Sequence, residues 1–420
     1  MAKRSKRFLR PRRYPRKKPK HPHLKPGADA GLRKIFGEIG VPENSPFTPD
    51  AFQLDAISTL EHNDCLVTAP TGSGKTWIAE KAIARIQAGG GRSWYACPLK
   101  ALSNAKYAEF SGIFGRQQVG ILTGDRKENT DASIIVGTTE ILRNQLYDAM
   151  HRGELLAADF VVLDEAHFLG DPDRGVVWEE IMIYLPQRIP LLLLSATIGN
   201  ADQIAGWLSS IRSSRCTVIR EYKRPVPLVP LFLHPSGTLL PLTAPAKTAG
   251  KEKIYKKVAD FLKTKGSRYR RMPDYLLPFD DVLKVLKKYE LLPAIFFLKS
   301  RADCDRAIEQ CRGKLLPDPG RNAVLKERIE TYANQSLHVI HHRQRWFLEN
   351  LALGSHHAGQ LPAWKLMLER LMSDGLLDAV FATSTVAAGV NFPARTEVFL
   401  ISDRFNGSQF LPLDATELHQ

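Results

Sequence analysis

Residues 69–76 read Ala69-Pro70-Thr71-Gly72-Ser73-Gly74-Lys75-Thr76. Two glycines, a lysine and a hydroxyl fall at the spacing G-x-x-x-x-G-K-[ST], with Ala69 in place of the first glycine. Gly72 and Gly74 let the backbone curl so that its N–H groups point at phosphate oxygens. Lys75 offers a cation to the β- and γ-phosphates, and Thr76 offers a hydroxyl to Mg²⁺. Such chemistry needs a strand before the loop and a helix after it. Cys65-Leu66-Val67-Thr68 reads as a short buried strand, and Trp77 to Ile83 has helical spacing. The helix adds the partial positive charge of its N-terminus. The whole stretch, with Ala69, Pro70, Thr71 and Ser73 as lining, is expected to hold a nucleoside triphosphate.

A second stretch, Phe160-Val161-Val162-Leu163-Asp164-Glu165-Ala166-His167, ends an apolar run of strand length in two adjacent acids. Ligands of parallel sheets sit beyond the carboxyl ends of the strands. Two carboxylates there repel unless a cation joins them. Asp164 suits the Mg²⁺-holding role with Thr76, and Glu165 suits the base that deprotonates an attacking water. The alternative is that these acids merely cap a following helix.

The elements that position these residues alternate strand and helix, the pattern of an α/β protein with parallel sheets. Strands are expected at 64–68, 93–97, 133–137, 160–164, 191–195 and 216–219, and in the second half at 294–298, 379–383 and 398–401. The chain divides into a basic tail and lead-in (1–44), a first α/β domain (45–235), a linker or insertion (236–288) and a second α/β domain (289–420). The exit from the first domain, Arg224-Pro225-Val226-Pro227-Leu228-Val229-Pro230, is stiff and extended.

Charge is unevenly spread. The net charge is +15, yet residues 1–25 hold twelve Lys or Arg and no acid, while the rest hold 47 basic and 44 acidic residues. A Pro-rich basic arm of this kind is expected to be disordered and to contact nucleic-acid phosphates without reading sequence. The basic stretch from Lys247 to Arg271 fits either a solvated helix face or a second nucleic-acid contact. Five scattered cysteines, with no C-x-x-C pair, fit a reducing compartment and a cytoplasmic location. No apolar run approaches the ~18 residues of a membrane helix, and no secretory leader is evident. The pairs His341-His342 and His356-His357 lack acids or cysteines at zinc-ligand spacing, so packing or a nucleic-acid loop suits them better.

Together these motifs resemble a superfamily 2 DExH-box helicase, most like the superkiller-type subgroup, from about residue 45 onward. The resemblance implies two RecA-like domains in tandem, ATP and Mg²⁺ in the cleft between them, and single-stranded RNA or DNA as partner, with RNA preferred by family analogy. Phe47, Pro49, Phe52 and Gln53 resemble the adenine segment, in which Gln53 pairs with the base. Cys97-Pro98-Leu99-Lys100, Thr123-Gly124-Asp125 and Gly137-Thr138-Thr139 resemble strand-gripping motifs, implying nucleic-acid contacts at Pro98, Lys100, Gly124, Thr138 and Thr139. Ser195-Ala196-Thr197 resembles the motif that couples ATP state to grip through Ser195 and Thr197, and His167 completes that polar bridge. Phe168 to Glu180 and Arg224 to Leu228 are particular to the subgroup. In the second half, Phe297-Leu298-Lys299-Ser300-Arg301, His356 to Pro362, Ala382 to Thr385 and Gly389-Val390-Asn391-Phe392-Pro393 resemble the later motifs. These imply nucleic-acid contacts at Ser300, His357, Thr383 and Thr385, and nucleotide contacts at Gly389 and Asn391.

Two departures qualify the resemblance. The family usually has Glu where Ser384 stands. The final Gln420 is the residue that opens the family's motif VI, Q-x-x-G-R-x-G-R, whose arginines stabilise transition-state charge. The resemblance therefore implies a second domain incomplete at its C-terminus and a chain that binds ATP but hydrolyses it weakly. The same motifs serve a translocase that does not separate strands. A non-catalytic scaffold switched by ATP is the rival of a different class.

Overall fold

The computed structural model describes residues 26–32, 35–36, 47–171, 174–244, 253–264, 277–311, 318–334, 336–383, 393–400, 403–405 and 410–412. The basic tail, most of the 247–271 stretch, Ser384, Thr385, Gly389, Asn391 and the final residues lie outside these. The chain forms two compact units: Met1–Ile39 with Pro230–Tyr289, and Gly40–Val229 with Glu290–Gln420.

In the smaller unit, β1 (Gly27–Ala28) belongs to a three-stranded sheet completed far along the chain. The larger unit begins with α1 (Ala51–Thr59) and then alternates: β2 (Asp64–Thr68), α2 (Lys75–Ala88), β3 (Ser93–Cys97), α3 (Lys100–Phe114), β4 (Val119–Leu122), β5 (Lys127–Glu128), β6 (Ile134–Thr138), α4 (Thr139–Arg152), β7 (Phe160–Leu163), α5 (Gly175–Tyr184), β8 (Leu191–Ser195), α6 (Ala201–Arg212) and β9 (Cys216–Arg220). The sheet order is β5-β4-β6-β3-β7-β8-β2-β9. Every pairing is parallel except β4 with β5. Every residue of β2, β3, β6 and β8 is buried, which requires helices on both faces.

Alternate strand residues feed two cores. Leu66, Trp94, Ile135, Val161 and Leu193 meet α4, α5 and α6 on one face through Leu146, Trp178 and Leu208. Val67, Tyr95, Val136, Val162 and Leu194 meet α2 and α3 on the other through Ile78, Ile83 and Phe110. At the start of β2, opposite the loop end, Asp64 and Arg212 form a buried ion pair. Arg212 Nε donates to Asp64 Oδ2 at 2.7 Å, and its other nitrogens donate to the Leu185 and Ile189 carbonyls. Asp64 Oδ1 accepts from the Leu191 amide at 2.8 Å. Full hydrogen bonding offsets the desolvation of both charges.

The smaller unit continues with β10 (Leu231–Leu233), β11 (Thr238–Pro241), β12 (Thr243–Ala244), β13 (Lys253–Ile254), α7 (Lys256–Thr264) and α8 (Phe279–Lys288). β1 pairs in parallel with β11, and β10 pairs antiparallel with it. Lys257 Nζ donates to Asp29 Oδ2 at 2.6 Å. The helix α8 buries Phe279, Val282, Leu283 and Leu286 on one face. The lead-in and the 236–288 segment, expected as separate pieces, thus share one sheet. A two-residue strand paired some 210 positions away leaves no local trace in sequence.

The second sheet contains β14 (Ala294–Phe297), then α9 (Arg301–Gln310), α10 (Pro319–Ala333), α11 (Leu337–Ile340), α12 (Arg345–Leu351), β15 (Leu353–His356), α13 (Pro362–Ser373), β16 (Ala379–Ala382) and β17 (Thr396–Phe399). Its order is β15-β16-β14-β17, all parallel. A final antiparallel pair joins β18 (Asp403–Phe405) and β19 (Phe410–Pro412). Leu325, Leu348, Trp364, Leu368 and Leu371 cover Ile295, Phe297 and Val380. Among the described residues no helix is long and apolar enough to cross a membrane.

Candidate nucleotide site and strand-facing loops

The loop after β2 turns through Gly72 (φ +82°) and Gly74 (φ +77°), both left-handed, and α2 begins at Lys75. The positive φ at Gly74 favours glycine, and a Cβ there would also displace Gln53 Nε2, 2.5 Å away. Lys75 Nζ donates to the Ala69 and Pro70 carbonyls at 2.8 and 3.1 Å, arching over the loop. Burial pushes its ammonium pKa down, while Glu165 and Asp164 oppose that shift. The Ser73 hydroxyl is buried without a hydrogen-bond partner, an orphan that a phosphate oxygen would satisfy. Pro70 is buried, whereas Thr71 and Gly72 are exposed at the crest.

Gln53 bonds the chain at both ends of its amide. Its Nε2 donates to the Gly74 carbonyl at 3.0 Å and to that of Ser73 at 3.3 Å. Its Oε1 accepts from the Asp50 amide at 2.8 Å, closing the N-terminus of α1. The side chain clips α1 to the phosphate loop. Phe47, six residues earlier, is exposed, with its ring 5.5 Å from that of Trp77.

β7 carries the acid pair to the same edge of the sheet. The order β7-β8-β2 sets these acids and the loop on either side of the strand that ends in Ser195. Asp164 is buried; Tyr95 OH donates to its Oδ2 at 2.6 Å, and the Glu165 amide donates to its Oδ1 at 2.9 Å. Glu165 sits at φ +57°, ψ +47°, a left-handed conformation that costs a non-glycine residue about 1–2 kcal/mol. Strain at a reactive group is a common mark of function. Burial, and then Asp164, push the Glu165 carboxyl up to about 7, against the opposing fields of Lys75 and Lys106. His167 Nδ1 lies 3.2 Å from Glu165 Oε2, and burial lowers the imidazole to about 4, so it is neutral near pH 7. The capping alternative fails: the turn Ala166–Gly170 has no side-chain cap bond.

Thr76 and Asp164 are hard oxygen donors of the kind that suits Mg²⁺. Thr76 Oγ1 already faces a cation, accepting from Lys106 Nζ of α3 at 2.9 Å. Donor chemistry and this stand-in charge both fit a magnesium ion. Ser195 is fully buried and its hydroxyl has no partner, while Thr197 is exposed. The intervening turn is tied to the phosphate-loop strand, since Thr68 Oγ1 donates to the Ala196 carbonyl and accepts from the Ile198 amide.

The proposed strand contacts separate by exposure. Lys100 and Gly124 are exposed and adjacent, with Lys100 Nζ 3.3 Å from Asp125 Oδ1. Pro98, Thr138 and Thr139 are buried, with Thr139 opening α4. Ser300 caps α9, accepting from the Asp303 amide at 3.1 Å. His357, expected at nucleic acid, is turned inward. Its Nδ1 accepts from the Gly359 amide at 3.1 Å, which puts the proton on Nε2, 3.2 Å from Asp305 Oδ1. Asp305 also accepts from Gln344 at 2.6 Å and Ser355 at 3.2 Å and pairs with Arg343. Thr383 is half-buried just after β16. Sequence reasoning missed Tyr95, Lys106 and Asp305. Tyr95 lies two residues before the Cys97-Pro98 motif, and Lys106 lies six residues after Lys100, offsets that only the fold makes meaningful.

With this geometry in place, sequence comparison is decisive. Residues 50–204 match the DEAD/DEAH box helicase family. The chain carries a DEAD/DEAH-box helicase domain, and the relatives it resembles include a superkiller complex protein and an exosome RNA helicase. It is 38% identical over 398 residues to the probable helicase HelY of Mycobacterium tuberculosis, spanning 89% of this chain and 43% of that protein. It is 36% identical to human superkiller complex protein 2, covering 87% of this chain and 31% of that protein. It is 35% identical to the human exosome RNA helicase MTR4, covering 89% and 37%. The chain thus spans less than half the length of these relatives.

Proposed function

We propose that this chain is the motor of an ATP-dependent nucleic-acid helicase that acts on single-stranded RNA, in the cytoplasm. The observation that carries the reading is the acid pair Asp164-Glu165 at the same sheet edge as Lys75 and Thr76, with Glu165 held in a strained conformation. Loop amides and Lys75 bind and orient the triphosphate. Thr76 and Asp164 hold Mg²⁺, which supplies positive charge to the phosphates. Glu165 takes the proton from the water that attacks the γ-phosphate, and its raised pKa suits a base working near neutral pH. The names of relatives that include RNA helicases support RNA over DNA. Lys100 and the neighbouring Gly124 loop suit a phosphate backbone.

The test is ATP turnover with and without a single-stranded oligoribonucleotide, alongside displacement of a labelled strand. Glu165→Gln is expected to lower stimulated turnover by about 10²–10⁴-fold while nucleotide still binds. Equal turnover in both proteins would point to a non-catalytic scaffold. Turnover without displacement would point to a translocase.

A further inference from the structure

Lys106 has no role in the chemistry described above, yet its ammonium occupies the most sensitive position near it. The side chain is only 16% exposed, and Nζ donates both to Thr76 Oγ1 at 2.9 Å and to Glu109 Oε2 at 2.8 Å. Of the two lone pairs on Thr76 Oγ1, Lys106 occupies one, on the oxygen that would face a metal ion. An ammonium and a divalent cation cannot share one hydroxyl oxygen, because like charges within a few ångströms repel strongly even when partly screened. A retreat is available: Glu109 already holds one N–H of Lys106, and Glu80 of α2 lies within the field of both.

The helix that carries Lys106 also carries Lys100 at its first residue, about 9 Å away along the axis. Lys100 reaches Asp125 in the exposed loop beside Gly124. A single rigid element therefore touches the metal-holding threonine at one point and a strand-facing loop at another. A two-position side chain at the first point can bias the second.

We propose that Lys106 is a displaceable placeholder for the metal: it holds Thr76 until Mg-nucleotide enters, then moves to Glu109 and Glu80, and α3 passes that change to the Lys100–Asp125 loop. The inference rests on the nucleotide site proposed above and makes Lys106 a positioning residue.

The experiment uses the full chain, a fluorescent ADP, titrated Mg²⁺ and a labelled single-stranded oligoribonucleotide. Lys106→Met keeps the stem and removes the charge; Lys106→Gln keeps a donor without charge. Both are expected to reach half-maximal Mg²⁺-dependent nucleotide binding at about 5-fold lower Mg²⁺, since one competing charged hydrogen bond is lost. In both, the ratio of strand affinities with and without Mg-nucleotide should move toward one, whereas Lys106→Arg should keep the parental ratio. Thermal melting of each variant confirms folding. An unchanged or higher Mg²⁺ requirement in Lys106→Met overturns the placeholder role. A lowered requirement with an unchanged strand ratio overturns the transmission through α3. Absence of Mg²⁺-dependent nucleotide binding in the parent protein would overturn the nucleotide site itself, and this inference with it.

Discussion

The two parallel sheets of the larger unit finish their strands with different chemistry. In the first, the ends of β2 and β7 bring Lys75, Thr76, Asp164 and Glu165 to one edge, with the Ser73 and Ser195 hydroxyls buried and unpartnered nearby. In the second, the segments after β14 and β15 spend their polar groups on one another. Asp305 gathers His357, Gln344, Ser355 and Arg343, and Gln360 bonds His342 and Ser355. The first edge leaves buried hydroxyls that a charged ligand would satisfy. Among the described residues of the second edge, this cluster satisfies its polar groups internally. One fold thus serves two purposes, and the distinction lies in which polar atoms are satisfied internally.

The contrast can be broken most forcefully at Asp305. Asp305→Ala strips the second sheet's network of its acceptor and is expected to destabilise that domain by about 2–3 kcal/mol. Hydrogen exchange of residues 353–360 should rise, while affinity of the first domain for fluorescent ADP should stay within about two-fold, as expected for distant sites without shared partners. Lost nucleotide binding in that variant would mean that the two edges are not chemically independent.

A smaller change sharpens the first edge. Tyr95→Phe removes the buried donor to Asp164 with little loss of volume. The Mg²⁺ needed for half-maximal nucleotide binding should rise about 10-fold, as when an outer partner of a metal ligand is removed. Its sign is opposite to that expected at Lys106, so the two variants together separate a residue that supports the metal site from one that competes for it.

The smallest effect is a pH dependence. The folded state holds the Glu165 carboxyl at about 7, above its ordinary 4.5. The protonated group therefore contributes stability that is fully present below pH 4.5 and lost as pH rises through about 7. Glu165→Gln cannot ionise, so its melting temperature should gain on the parent's as pH rises from 5 to 8. A constant difference across that range would show that Glu165 ionises freely. No such linked loss is expected from Asp305, whose carboxyl is held below its usual range by His357 and Arg343 despite burial.

Legibility in the sequence followed the same division. The strands at 64–68, 93–97 and 191–195 coincide with β2, β3 and β8, because a strand buried on both faces is an uninterrupted apolar run. β4 and β15 went unread, since Gly120 and the Leu-Gly-Ser-His sequence of β15 break that run. Gly120 is there for packing: a Cβ would stand 2.1 Å from the Asn129 carbonyl oxygen. The placement of Lys75, Thr76, Asp164 and Glu165 just after their strands was legible because a strand–loop–helix pattern is local. Gln53, Ser300 and His357 each bond the chain's own atoms, contacts that no local pattern announces. Whether a side chain faces a ligand or the chain's own backbone is decided by neighbours distant in sequence.

The left-handed backbone at Glu165 carries one further consequence. A glycine there would relax the main chain and delete the carboxylate in a single step. Variation filtered only for thermal endurance would therefore drift toward a sturdier and idle protein. A glutamate in so uncomfortable a conformation is held there at the expense of the resting fold.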